Sequence, residues 1–364
     1  MPKKLRKGIA LALSGGGFRA TLFHLGAILR LNELGLLRQL NRVVSVSGGS
    51  IAAGCLAQAW SSIVWEDDRA TNLDAVVTAQ LRSFCRRDLD APAVLEGFIT
   101  PGRTPVQMLR RAYEKHLFGD FPLRKLPWRP SFIFQSTNLG TGRAFRFGRD
   151  YVADYLIGSA PSEGITLATA VAASSAFPPL LSPLTLRMKA SGFRRLPGAH
   201  LYDRPGFRTE LQLSDGGIYD NLALESAWDS EIVLVSDAGA PFEHSATPGA
   251  AWHRQAARAL DIATAQARAL RRRWLIDQYV RGVRRGAYWG ITTRISDYRM
   301  NSVRISSRLQ ERLSTLRTRL NCFTDEEQEQ LINLGYAMSD AACRSNMALA
   351  DHPFVLPYPT RTLL

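Results

Sequence analysis

The first sixty residues carry one short pattern twice: an apolar run, a glycine turn, then a helical stretch. Gly8 to Leu13 reads as a short buried strand stopped by Ser14-Gly15-Gly16-Gly17, after which Thr21 to Leu36 carries helical spacing at Leu22, Leu25 and Leu29. Val43 to Val46 then runs into Ser47-Gly48-Gly49 and a small-residue helix from Ser50 to Ala59. Consecutive strand–turn–helix units need parallel strands with helices on the faces, because a parallel crossover must bury the helix against the sheet. The chain is therefore expected to be an α/β protein with a mostly parallel central sheet and reactive groups at the strands' carboxyl ends.

Beyond these units the patterning is weaker. Leu73 to Phe84 and Pro105 to His116 carry helical spacing, and Ser131 to Asn138 with Arg143 to Phe147 reads as a hairpin through Gly140-Thr141-Gly142. Ile165 to Ser175 is a small-residue helix ended by Phe177-Pro178-Pro179, since proline lacks the N–H donor and biases its predecessor away from α geometry. Arg208 to Leu213 leads into Ser214-Asp215-Gly216-Gly217, and Glu231 to Asp237 is a further buried strand. The pattern then changes to long arginine-rich helices, which sets a domain of residues 1–245 against a mostly helical extension of residues 246–364.

That extension carries most of the chain's net charge of +14: Ala251 to Leu320 holds 16 arginines, no lysine and four acids. Read at 100° per residue from Trp252, Leu260, Ala263, Leu270 and Trp274 share a quadrant opposite Arg254, Arg258, Arg268 and Arg272. Such a helix either packs on the sheet with its basic face solvated or draws the protein to anionic phospholipid. No nucleic-acid motif accompanies the charge, so a nucleic-acid partner is not expected. Cys55, Cys85, Cys322 and Cys343 lie far apart without a CxxC pair, which argues for reduced thiols and against structural zinc. The apolar run Ile9 to Leu13 is too short for a secretory signal core, and no stretch approaches the roughly 18 apolar residues of a membrane span. A cytoplasmic protein is expected, at most peripheral at the inner face of the membrane.

Three elements share a chemical logic. A serine between a strand and a helix, flanked by Ser45, Gly48 and Gly49, presents its hydroxyl on a sharp elbow, with Ser45 standing where the G-x-S-x-G pattern has its first glycine. Gly15, Gly16 and Gly17 at a helix start expose backbone N–H groups with the positive helix end behind them, suited to an oxyanion or a phosphate, and Arg19 adds a positive charge. Gly15, Gly17 and Ala20 also fit the dinucleotide pattern G-x-G-x-x-A, but Ser47 occupies the place where that site needs an acid. Asp215, in its own glycine turn, is a candidate base for Ser47. A Ser–His–Asp triad stays open in the order Ser47, Asp215, then His244, His253 or His352, although none of these histidines sits in a motif. A non-hydrolytic scaffold holding lipid or nucleotide at the glycine turn is the alternative outside hydrolysis.

Taken together, Ser14-Gly15-Gly16-Gly17-Phe18-Arg19, Ser45-Val46-Ser47-Gly48-Gly49, Asp215-Gly216-Gly217 and the block Ala173-Ser174-Ser175-Ala176-Phe177-Pro178-Pro179 resemble the patatin-like phospholipases in order and wide spacing. The resemblance covers Ile9 to Ala238. It implies a three-layer α/β/α fold and a lipid acyl hydrolase of phospholipase A type. It further implies a Ser47–Asp215 dyad, an oxyanion hole at Gly15, Gly16, Gly17 and Arg19, and neither a cofactor nor a metal in the catalytic step. The arginine-rich carboxyl region lies outside it.

Overall fold

Both strand–turn–helix units form. In the computed structural model, which describes residues 5–89, 104–349 and 352–364, β1 (Arg6–Leu13) leads into α1 (Gly17–Glu33), and β2 (Leu40–Val46) into α2 (Gly48–Ala59). A small hairpin, β3 (Trp65–Glu66) and β4 (Arg69–Ala70), precedes α3 (Ala79–Cys85) and α4 (Pro105–Tyr113). Next come β5 (Ser131–Asn138), β6 (Arg143–Phe147), β7 (Tyr151–Asp154), β8 (Gly158–Pro161), α5 (Leu167–Ser174), β9 (Leu184–Arg187) and β10 (Glu210–Asp215). The chain continues through α6 (Gly217–Asp220), β11 (Ser230–Asp237), α7 (Trp252–Val280), β12 (Arg285–Gly290), α8 (Ser307–Thr315) and α9 (Asp325–Asn346).

The sheet runs β12-β11-β1-β2-β5-β6-β7-β8, with β10 pairing β5 and β9. Its centre, β12 through β5, is parallel, and β6 to β10 add antiparallel strands on one side. One detail of register matters for the site. Along one edge of β5, β2 pairs residues Ser131 to Gln135, and β10 pairs Ser136 to Asn138 from the opposite direction; the other edge is taken by β6. β2 and β10 therefore meet end to end, with Val46 opposite Gln135 and Asp215 opposite Ser136.

The segment after residue 245 is built into the same core. β12 extends the sheet beside β11, and α9 lies against α1 so closely that a Cβ at Gly26 would stand 1.9 Å from the Ile332 carbonyl oxygen. A Cβ at Gly335 would stand as near the Phe23 carbonyl oxygen, at 1.9 Å. Within this contact the buried Arg30 pairs with the buried Asp340 at 2.7 Å, so neither charge is left uncompensated. Among the described residues no helix is long and apolar enough to cross a membrane.

Helix α7 is rotated about its axis away from the orientation its sequence pattern suggests, without being reversed. Leu270 and Trp274 are 58% and 50% exposed, and Leu275 is the helix's one buried residue. Arg268, expected on a solvated face, points inward and pairs with the buried Asp237 at 2.9 Å. A carboxylate buried at the end of β11 requires a cation, and leaving it unpaired would cost several kcal/mol, on the order of what a few methylenes buried in its place would return. Of the other three arginines, Arg254 and Arg272 are exposed, while Arg258 is half-buried, stacked 4.3 Å over Phe242 and donating to the Glu243 carbonyl at 2.8 Å.

Candidate active site

Ser47 joins β2 to α2 with φ 52° and ψ −122°, a left-handed backbone that a residue with a side chain adopts only under constraint, at roughly 1–3 kcal/mol. The constraint is visible. The Ser47 N–H donates to Ser174 Oγ at 3.0 Å, and Ser174 in turn donates to the Gln135 carbonyl at 2.6 Å. Ser50 lies within hydrogen-bond distance of both Ser45 and Ser174, at 3.0 and 2.9 Å. Thus Ser45, in the first-glycine position of the elbow, is buried and partnered, and Ser174 from the small-residue block acts as a brace.

The end-to-end meeting of β2 and β10 brings the Asp215 side chain to this elbow. Its carboxylate accepts the Gly217 N–H at 2.7 Å, and the Ser47 side chain lies near enough to favour its charged form. Burial pushes the carboxyl up from 3.8 to about 6, although the Gly217 amide and the nearby Ser47 side chain favour the charged form. The backbone beneath is tied down, with the Asp215 N–H on the Ala176 carbonyl at 2.9 Å and the Thr137 hydroxyl on the Asp215 carbonyl at 2.8 Å.

The glycine block packs backbone to backbone against the elbow. A Cβ at Gly48 would stand 2.0 Å from the Gly17 carbonyl oxygen, so only glycine lets the starts of α1 and α2 converge. Gly16 has φ 142° and Gly17 φ 59°. Among the described residues the amides of Gly16, Gly17 and Gly48 have no acceptor, as expected of the first donors of a helix. The Gly15 N–H, by contrast, is committed to the Asn221 carbonyl at 3.2 Å. Asn221 is a residue that sequence reasoning missed. Its Oδ1 would lie 2.5 Å from a Cβ at Gly15 and 2.6 Å from one at Gly217, so it fills the gap between the glycine block and the aspartate turn. An asparagine six residues past Asp215 carries no pattern of its own in a single sequence.

Arg19 lies beside the glycine block, its Nη2 3.3 Å from where a Cβ at Gly16 would stand. Its guanidinium donates to the carbonyls of Ser314, Leu316 and Ala238 at 2.9, 2.6 and 2.9 Å, and burial together with the charge of Arg268 lowers its pKa to about 10. It ties the carboxyl region to the start of α1 through the Ser314 and Leu316 carbonyls. The histidines sit elsewhere. His24 is buried between Ser236 Oγ at 2.7 Å and the Ser14 carbonyl at 2.9 Å, and burial lowers its pKa to about 4. His352 pairs with Arg69 at 2.7 Å, and His244 and His253 are exposed beside the rings of Phe242 and Trp252.

Comparison with known proteins agrees with this architecture. No curated protein matches the chain by sequence. Among solved structures, human GIVD cytosolic phospholipase A2 in complex with methyl gamma-linolenyl fluorophosphonate and terbium chloride superposes with TM-score 0.52 at 15% identity, covering 92% of this chain and 57% of that one. The same human protein with the fluorophosphonate alone gives TM-score 0.50 at 14% identity, with the same 92% and 57% coverage. VipD from Legionella pneumophila gives TM-score 0.39 at 15% identity, over 96% of this chain and 68% of that one. The chain thus spans little more than half the length of the human structures. The family model for the patatin-like phospholipases matches residues 11–228, a stretch that contains the glycine block, the serine elbow and the aspartate turn, and the chain belongs to this family.

Proposed function

We propose that this chain is a phospholipase of A type that cleaves membrane phospholipid esters through an acyl-enzyme on Ser47, with Asp215 as the base. The observation that carries the reading is the end-to-end meeting of β2 and β10 on β5, which sets the buried Asp215 carboxyl beside Ser47 at a strained elbow. In this mechanism Ser47 Oγ attacks the ester carbonyl carbon while its proton passes to Asp215. The oxyanion that forms is met by the free amides of Gly16, Gly17 and Gly48. Collapse breaks the ester C–O bond, and the lysophospholipid alkoxide leaves with the proton from Asp215. Asp215 then takes a proton from water, which attacks the acyl-enzyme; the fatty acid leaves and Ser47 regains its proton. Residues 1–245 carry the chemistry in this reading, and residues 246–364 brace it through the carbonyls that hold Arg19. The four free cysteines, three of them buried, suit a reducing cytoplasmic setting.

A fluorophosphonate is the direct test. It should add covalently to Ser47 in the native protein and leave Ser47→Ala unlabelled, with the adduct located by peptide mass spectrometry. Labelling at another serine, or none, refutes the nucleophile; incubation with mixed phospholipids then identifies the ester released.

The base has its own signature. A carboxyl that holds its proton up to about pH 6 is competent only above that value, so kcat/KM on a short-chain ester should be level above pH 7 and fall tenfold per unit below about pH 6. Alanine at His244, His253 or His352 should leave this profile unmoved. Loss of turnover in any of those variants, with the fold intact, would put a histidine in the base's place.

A further inference from the structure

We propose that the outward face of α7 is the surface on which this enzyme settles on anionic lipid, an inference that rests on the lipid-hydrolase reading and adds its docking face. At 3.6 residues per turn, Ile262, Ile276 and Val280 form one row with Leu270 flanking it, on the side of the helix away from Arg268, Arg271 and the buried Leu275, whereas Trp274 is stacked on Trp228 with ring centroids 3.6 Å apart. These apolar side chains stand open: Ile262 is 46%, Leu270 58% and Val280 81% exposed. Solvent-facing aliphatic side chains along about five turns are uncommon in a helix that packs on a sheet, whereas an interfacial helix requires them.

Charge selects the occupant. Arg254, Arg272 and Arg273 are exposed along the same helix, and of its two acids Asp277 is paired with Arg281 at 2.8 Å. A second copy of the chain would set this arginine-rich surface against itself, because a two-fold contact pairs like with like. A bilayer with anionic headgroups offers acyl chains to the apolar row and phosphates to the arginines. Position agrees as well. The inward side of α7 is fastened to loops that follow the sheet's carboxyl ends: Arg268 to Asp237 and the Gly239 carbonyl at 3.1 Å, and Arg271 to the Tyr219 carbonyl at 3.2 Å, four residues beyond Asp215. A helix docked this way holds the serine end of the sheet toward the lipid.

The experiment is vesicle co-sedimentation of the full chain with equal parts phosphatidylcholine and phosphatidylglycerol, against pure phosphatidylcholine. The parent should prefer the anionic vesicles. The triple variant Ile262→Gln, Leu270→Gln, Ile276→Gln should lose at least tenfold in partitioning to both, and Arg254→Gln, Arg272→Gln, Arg273→Gln should erase the preference for phosphatidylglycerol. Both should hydrolyse a soluble short-chain ester as the parent does, which also reports that the fold is intact. Equal partitioning of the parent and the apolar variant overturns the proposal, as does a parent that fails to bind vesicles. A parent that is dimeric by sedimentation, with the apolar variant monomeric, overturns it in favour of self-association. Because partitioning needs no turnover, failure of the phospholipase reading shows separately, as absent fluorophosphonate labelling in a protein that still binds vesicles.

Discussion

Ser47→Ala and Asp215→Asn should each lower ester hydrolysis by roughly ten-thousandfold or more, and the double variant should be no worse than either alone. Nucleophile and base act as one unit, so removing one leaves the other nothing to do. The measurement is kcat/KM on a soluble ester for the two single variants and the double; losses that multiply would show that the residues act independently. A second effect has the opposite direction. Because burial raises the Asp215 carboxyl from 3.8 to about 6, the folded protein binds its proton more tightly than the unfolded chain does. The stabilisation that the proton gives is complete below about pH 4 and is lost as pH rises through 6. At pH 8 the parent therefore holds a buried carboxylate at a disadvantage of about 3 kcal/mol. Asp215→Asn, which is neutral at every pH, should melt higher than the parent at pH 8 and lose that advantage by pH 4. An inactive variant that is also the more stable one separates a catalytic carboxylate from a structural one.

Gly48→Ala should be nearly as damaging, through the backbone alone. Its Cβ would lie 2.0 Å from the Gly17 carbonyl oxygen, an approach no neighbour can relieve by rotating a side chain. The starts of α1 and α2 must then separate, and both sets of free amides leave the place where the oxyanion forms. Loss of one such donor typically costs about 3 kcal/mol, or on the order of a hundredfold in rate, so kcat should fall at least that far with KM little changed. Gly192→Ala, at a site where an added Cβ meets nothing within 4 Å, should leave kcat unaltered. If Gly48→Ala raised KM at constant kcat, the glycine block would bind substrate and transition state equally and would not be an oxyanion hole.

Much of the site was legible in the amino-acid sequence because its parts are local. A strand, a glycine turn and a helix are written within twenty residues, as periodicity and as small side chains where the backbone must bend, so Ser47, Gly16, Gly17 and Asp215 could each be singled out from neighbours in sequence. The parallel arrangement of the sheet's centre follows from the same local units. Their meeting could not be read. Ser47 and Asp215 are brought together because β2 and β10 arrive from opposite directions on one edge of β5 and stop at adjacent residues, Gln135 and Ser136, and register between distant strands leaves no mark on either one. The same limit hid the brace at Ser174 and the wedge at Asn221. For α7 the sequence determined that the helix has two unlike faces, but only the tertiary structure decided which turns inward: the buried Asp237 at the end of β11 draws Arg268 to itself, because an uncompensated charge in the core would cost several kcal/mol.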